Sequence, residues 1–562
     1  MKLLKRTLLL LSVVLVLCIF AGAADHTAGN IEELYTVIFE NLKAQDTEFT
    51  VEYNGPVEDL PVVNTLISLP LLSRGMTANL PNPDGTGPDV HMMNIREARC
   101  TAGENNELTM YFTYLLDHSQ LAWVDTQVDS IISELQLDGL SDYMKIKKIY
   151  QYMGTNFTYD HTLKKFTDYE GLTTGSMVCQ GYALLTYKLL WKIGIPCRIV
   201  VGVSSAEQHG WNIVKLEDKW YNLDTTWDSG NEGGPMYWNY FLRAPIDFAD
   251  HVQDAVFTDS AYFQQQHPMA EESYAVPSIE ILIDGVLYSG LTIRNGKTTQ
   301  LQAALTPEKD TKVTWSSSDE TIVSVDENGL ISSLIPGAVY ITATADDPEY
   351  TPGVFPVTAV DLRTCSQWAE EELNSYYLRK LYPAILCSDY QQPIAREEFC
   401  HLLYQLIASY LSTGGQFKYQ GFEDVEDGSP YWFSIVYVAS RGIFQGTGEK
   451  TFDPKSPLTR QQAAKLLCSV LDYAKIPYDT ANPKTFADAA DISPWAVDYV
   501  AKASSAGLMM GTDSNYFNPN APLTREEAAV TLERLFVNFI EPNLPKAETS
   551  PAPQFKSINW HQ

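Results

Sequence analysis

The sequence predicts a multidomain chain: an α+β unit first, then a β-sandwich, then a helical unit built from repeats. Three observations carry that prediction. At roughly 150 residues per domain, 562 residues divide into three or four domains. Near residue 278 the hydrophobic pattern changes from helical spacing mixed with strands to short alternating runs. A repeat with a period of 63 to 65 residues then fills residues 365–540. Hydrophobic residues make up 45% of the chain and charged residues 19%, which excludes a wholly disordered polypeptide. The net charge of −31 repels nucleic acid and anionic lipid, so neither is expected as a partner.

Residues 1–23 read as a signal peptide. Lys2, Lys5 and Arg6 form a basic start, Thr7 to Phe20 is apolar, and Ala21-Gly22-Ala23 supplies small residues for cleavage. The expected protein is therefore secreted, touching the membrane only through this leader before cleavage. Of the eight cysteines, Cys18 leaves with the leader and seven remain. Their number is odd, their spacings are wide and no CxxC occurs, so neither a disulfide framework nor a zinc site is expected. An exported chain that keeps a free thiol has a candidate for thiol chemistry.

Residues 24–130 carry a helical pattern from Ile31 to Leu42, turns around Pro81 to Pro88 and an alternating strand at Leu108 to Tyr114, with no recognisable motif. The unit at 131–270 opens on a helix, with Tyr143, Ile146, Ile149 and Tyr150 on one face. Cys179 follows Gly175-Ser176-Met177-Val178 and starts a helix that Gly194 stops. A thiol at a helix N-terminus feels the positive end of the helix dipole, which favours thiolate. His209 opens a strand and Asp224 ends the hairpin partner that begins at Trp220. A histidine at one strand's start and an aspartate at its partner's end can stand side by side. The aspartate then orients the imidazole that takes the thiol proton. Gln180, Trp211 and Trp227 are the candidates for oxyanion or substrate contact. His161 is the competing histidine, with nothing to place it beside Cys179. No HExxH, phosphate-cradling glycine loop or calcium-loop spacing occurs, so no cofactor or metal is expected.

The segments Cys179 to Ala183, Gly194 to Pro196, His209 to Asn212 and Trp220 to Asp228 resemble the transglutaminase-like superfamily of papain-like thiol enzymes. Asn156 to Asp160 fits the same pattern, whereas Met177 stands where the family frequently has glycine. The resemblance implies an α+β papain-like fold over roughly 130–260. It also implies Cys179 as nucleophile, His209 as base, Asp224 as orienting group, and a protein or peptide substrate.

At 278–362, Leu291 to Ile293, Val313 to Asp319, Val325 to Leu330 and Pro336 to Ala343 read as strands and turns of a β-sandwich. They resemble the group 2 bacterial immunoglobulin-like domain, whose members act as extracellular spacers or adhesive units. In 365–540, Phe422-Glu423-Asp424 recurs as Phe486-Ala487-Asp488, Phe452-Asp453-Pro454 as Phe517-Asn518-Pro519, and Leu458-Thr459-Arg460 as Leu523-Thr524-Arg525. A degenerate earlier copy contains Pro393-Ile394-Ala395-Arg396. The copies at 365–417, 418–480 and 481–540 resemble S-layer homology repeats. That family implies an all-α, pseudo-threefold unit binding cell-wall polysaccharide, with Arg396, Thr459, Arg460, Thr524 and Arg525 near the ligand grooves. Ala395 replaces threonine in the first copy and Gln461-Gln462 replaces the usual acids in the second. The intact Thr-Arg pairs of the second and third copies rank above Arg396 as wall contacts. Residues 541–562 form a Pro-rich tail with no assigned role.

The expected protein is an exported, wall-anchored thiol enzyme acting on amide or peptide bonds through a thioester, by cross-linking or by hydrolysis. The alternative from another class is a non-catalytic surface-binding or adhesion protein using the same modules.

Overall fold

The computed structural model describes residues 24–544 except 57–75, 77, 79, 83–86, 104–105, 205–206, 231–233, 289, 374–385, 412–420, 427–428 and 449. The leader at 1–23 and residues 545–562 of the tail lie outside the described residues. Among the described residues, no helix is long and apolar enough to cross a membrane.

The first body pairs one helix with one sheet. Strands β1 (His26–Ala28), β2 (Glu48–Tyr53), β3 (Ile95–Ala102) and β4 (Glu107–Tyr114) lie in the order β1-β2-β4-β3. Helix α1 (Ile31–Ala44) is capped by Asn30, which accepts from the Glu33 N–H. Its Leu34, Ile38 and Leu42 pack on Phe49, Val51, Met110 and Phe112 from the alternate residues of β2 and β4. A short helix, α2 (Pro88–Met93), reaches across to the next body.

That next body is built around α6 (Cys179–Lys192). Helices α3 (His118–Leu135), α4 (Asp142–Asn156) and α5 (Asp168–Thr174) lie to one side of it, with the two-residue strands β5 (Thr158–Tyr159) and β6 (Ser176–Met177) paired between them. On the other side stands a sheet in the order β10-β7-β8-β9, formed by β7 (Cys197–Ser204), β8 (Glu207–Leu216), β9 (Lys219–Leu223) and β10 (His251–Gln253). Sandwiched in this way, α6 is buried nearly all round, with Tyr182, Ala183, Leu184, Leu185, Tyr187, Leu189 and Leu190 inside. Met177 is fully buried against Gly181, where an added Cβ would lie 2.9 Å from the methionine's Cβ. The methionine thus fills space that a glycine on the neighbouring turn leaves open.

Strands over 278–360 form sheets around a core of Ile281, Ile293, Val323, Ile331, Ile341, Phe355 and Val357. This unit touches the preceding body through Lys147, whose Nζ donates to the Tyr350 carbonyl at 2.7 Å, and through the Tyr143 hydroxyl, 3.0 Å from the Glu349 carbonyl.

Beyond residue 360, helices α7 (Arg396–Tyr410), α8 (Trp432–Ser440), α9 (Arg460–Ala474), α10 (Val497–Ser505) and α11 (Arg525–Leu535) share one core. The unit is not built from helices alone. The three segments entering α7, α9 and α11 pair with one another in a closed ring. The N–H of Ile394 donates to the Leu523 carbonyl, Leu458 to Ile394, and Leu523 to Leu458, at 2.9, 3.0 and 2.7 Å. Arg396, Arg460 and Arg525 repeat the cycle through their backbone N–H groups, donating to the carbonyls of Ser456, Ala521 and Gln392. The sequence repeat is therefore a spatial one, and each copy satisfies the backbone of another.

Candidate thiol site

Cys179 is the first residue of α6. Val178 before it offers no side-chain cap, so no N-cap side chain occupies the first N–H groups of the helix. The hairpin of β8 and β9 is in register with Asn212 opposite Leu223, which sets Asp224 diagonally across from His209. His209 Nε2 and Asp224 Oδ2 are 2.7 Å apart, and both side chains are buried. Because Nε2 is taken by the carboxylate, Nδ1 is the nitrogen left for the thiol. Asn212, also on β8, donates to the Ala183 carbonyl at 3.1 Å and so fixes the strand against α6. The sequence-predicted Cys179, His209 and Asp224 thus come together from three elements.

The electrostatics couple all three. Burial pushes the Cys179 thiol up, but the hydrogen bond and charge of His209, with the Gly210 backbone, outweigh it and bring the thiol below its ordinary value. Burial opposes the His209 proton, yet the Asp224 carboxylate and the thiol hold it to about 10. Burial also works against ionised Asp224, and the imidazoles of His209 and His251 overcome it, leaving the carboxyl well below the usual range. The remaining thiols behave in the opposite way. Cys100, Cys197, Cys365, Cys387, Cys400 and Cys468 are all raised, burial being the first cause in each. All seven described cysteines are free, and Cys179 is partly exposed.

The other candidates divide. Trp227 is 37% exposed, with its ring 6.0 Å from that of His209. Trp211 does not reach substrate: it is 1% exposed, stacks on His209 and donates its indole N–H to Asn222 at 3.1 Å. It lies on the same strand face as His209, and that face turns inward. The Gln180 side chain is also committed elsewhere, donating to the Met93 carbonyl at 2.8 Å, which leaves only its backbone N–H for an oxyanion. His161 packs on Tyr159 and on Phe433 of the helical unit.

Two features escape the sequence reading. The motif-free N-terminal region braces the site: Asp89 grips Arg198 of β7 at 2.8 and 2.9 Å, and Met93 anchors Gln180. The second feature is His251, on a three-residue strand that loops back to the site. Its Nε2 lies 3.0 Å from the same Asp224 Oδ2 that holds His209, and its Nδ1 lies 2.8 Å from Asp250 Oδ1. The one signal for it is Gly202 on β7, where an added Cβ would meet the Val252 carbonyl oxygen at 2.1 Å, so only glycine lets β10 dock. His209, Asp224 and His251 also form the one group of close potential metal ligands among the described residues. Both imidazoles reach a single carboxylate oxygen at hydrogen-bond distance, which is the geometry of shared protons.

In the helical unit, Thr459 and Thr524 cap α9 and α11, accepting from the N–H groups of Gln462 and Glu527. Ala395 can offer no such bond, and Glu398 alone reaches back to its N–H at 2.8 Å. The arginines lie inside the ring of copies. Arg460 pairs with Glu527 and donates to the Phe517 carbonyl, and Arg525 pairs with Glu398 at 2.9 Å. Gln462 stands where those two acids would predict a partner for Arg396. Arg396, 3% exposed, donates from Nε to the Phe452 carbonyl and lies over the Phe444 and Phe452 rings. Its Nη2 has no hydrogen-bond partner, and no carboxylate lies within ion-pair distance among the described residues.

Three kinds of segment in this chain match protein-family models. Residues 130–225 match the transglutaminase-like superfamily, residues 286–354 the group 2 bacterial Ig-like domain, and residues 421–464 and 485–529 the S-layer homology domain. Among curated relatives, the Surface-layer 125 kDa protein of Lysinibacillus sphaericus is 33% identical over 142 residues, covering 25% of this chain and 12% of that protein. The S-layer protein sap of Bacillus anthracis is 30% identical over 130 residues, covering 23% and 15%. The human Kyphoscoliosis peptidase is 24% identical over 249 residues, covering 39% and 36%. The chain thus spans between 12% and 36% of the length of these relatives. Among solved structures, a TGase is 12% identical with a TM-score of 0.19, covering 36% of this chain and 59% of its own. Domains 4 and 5 of the S-layer protein SbsC are 21% identical with a TM-score of 0.12, covering 15% and 53%.

Proposed function

We propose that the chain is an exported enzyme held at a bacterial cell wall, whose transglutaminase-like part forms a thioester from an amide or peptide bond. Cys179 is the nucleophile, His209 the base and later the acid, and Asp224 the group that orients the imidazole. The observation that carries this reading is the contrast among thiols: Cys179 is lowered by a histidine backed by a carboxylate at 2.7 Å, while the other six are raised.

In the reaction, Cys179 Sγ adds to the carbonyl carbon, and the carbonyl oxygen becomes an oxyanion facing the N–H groups at the start of α6. The C–N bond breaks as His209 gives its proton to the leaving nitrogen, and the acyl group stays on Sγ. An amine or a water then attacks the thioester, gives a proton to His209 and releases the thiolate. The amine product is a cross-link and the water product an acid.

Wall attachment belongs to the S-layer homology segments. The chain's negative charge repels an anionic wall polymer, so attachment needs a local cation. Carboxylates already neutralise Arg460 and Arg525, and the guanidinium of Arg396 is the one an acidic sugar substituent would complete. This reading ranks Arg396 above the Thr-Arg pairs of the second and third copies as the wall contact.

Incubating the purified mature chain with glutamine peptides and a labelled primary amine tests the enzyme reading by mass spectrometry. The expected result is label on glutamine or conversion of glutamine to glutamate, both lost in Cys179→Ala. Neither product from the wild type, with Cys179 unacylated, would favour the surface-binding alternative. Sedimentation with purified walls tests the anchor, and Arg396→Ala is expected to release the chain.

A further inference from the structure

We propose that His251 is a positioning residue for the thiol site, a second imidazole on the Asp224 oxygen that holds His209; the proposal rests on the thiol reading above. Asp224 is saturated with donors. Its Oδ1 accepts from the Thr226 N–H at 2.8 Å, and its Oδ2 accepts from both His209 and His251, at 2.7 and 3.0 Å. The Thr226 N–H and, at 3.4 Å, the Trp227 N–H hold Oδ1, and the two imidazoles together set where Oδ2 points. His251 is itself held from behind: Nδ1 faces Asp250 Oδ1 at 2.8 Å, and Asp250 Oδ2 accepts from the Tyr240 hydroxyl at 2.6 Å. A continuous line of polar groups thus runs Cys179, His209, Asp224, His251, Asp250, Tyr240.

A packing role does not account for this residue. The His251 side chain is wholly buried, enclosed by the rings of Trp211, Trp227, Tyr240 and Phe248 at 4.1 to 5.3 Å. An apolar side chain would fill that aromatic box without the cost of desolvating an imidazole. Both nitrogens lie at hydrogen-bond distance from carboxylates, so the ring's polarity is used on both sides. The titratable groups facing it are Asp224, Asp250, His209 and Tyr240. His251 lies beyond the residues 130–225 that match the superfamily model.

Loss of His251 leaves Oδ1 held but lets Oδ2 shift from its place against His209, which weakens the hold on protonated His209 and so raises the pH at which Cys179 becomes thiolate. The test is the pH dependence of iodoacetamide alkylation of the Cys179 peptide in the full mature chain, which requires no knowledge of the substrate. Wild type is expected to show a midpoint below the roughly 8.5 of a free thiol. His251→Phe is expected to raise that midpoint by about one unit, which makes labelling about tenfold slower at pH 6. His251→Gln keeps an N–H for Asp224 and is expected to fall between the two. An unchanged midpoint in a folded His251→Phe or His251→Gln would overturn the proposal. An ordinary midpoint in the wild type would instead overturn the thiol reading itself. Should His251→Phe fail to fold, 15N-histidine labelling of the wild type still decides: the account expects a proton on His251 Nε2, and a bare Nε2 would overturn it.

Discussion

The thiol site and the ring of repeats both announce themselves in the sequence by charged residues at fixed motif positions, yet the chain uses those residues differently. At Cys179 the polar groups come from three elements and converge on one sulfur, and their charges shift one another. In the ring, Arg460 and Arg525 turn inward to carboxylates of another copy, and Thr459 and Thr524 are spent as helix caps. A motif residue is available for chemistry only if the fold has not already given it a partner. Arg396 sits between these cases, because Gln462 stands where an acid would pair with it, and its buried Nη2 is left without a hydrogen-bond partner.

Substitutions at the two places should therefore fail in different ways. Cys179→Ala should abolish acyl transfer in the peptide assay while leaving wall sedimentation unchanged; a parallel loss of both would break the separation. Asp224→Asn should cut turnover by about 10³–10⁴-fold with an unaltered circular dichroism spectrum, since the imidazole loses its orienting acceptor. A pH series sharpens the point. The folded state holds the His209 proton to about 10, so its contribution to stability is complete below the ordinary 6.5 and is lost as pH rises through about 10. The Asp224 contribution has the opposite sign, present above the ordinary carboxylate range and lost as pH falls below it. Chemical denaturation across this range should show the alkaline loss in wild type, and Asp224→Asn should bring it to lower pH.

In the ring the expected losses are of stability. Arg460→Ala leaves Glu527 without its cation and should lower unfolding free energy by about 2–3 kcal/mol, with Cys179 alkylation unchanged. The exposed pair of Lys450 and Glu423 is the contrasting case, and Lys450→Ala should cost under about 1 kcal/mol.

What the sequence made legible follows from where each residue lies. Cys179 opens its helix, His209 lies near the start of its strand and Asp224 directly follows the hairpin partner, in segments whose helix and strand patterns the sequence shows. His251 sits on a strand of three residues, too short for any alternation, and reaches Asp224 only because Gly202 lets two backbones approach. The bracing by residues 24–116 was equally silent, since it acts through one carboxylate, Asp89, and one carbonyl, Met93. Trp211 and Trp227 look alike in the sequence, but strand alternation buries the first and the turn after Asp224 exposes the second. The three arginines were legible as equivalent. Their inward pairing was not, because it depends on which copy closes against which.

The central claim is that one thiol of seven is activated, and competitive alkylation of the mature chain at pH 7 tests it most directly. With limiting iodoacetamide and peptide mass mapping, the account predicts label on Cys179 well ahead of Cys365, the other partly exposed thiol, and of the five buried ones. Equal or faster labelling of Cys365 in the folded protein would contradict it.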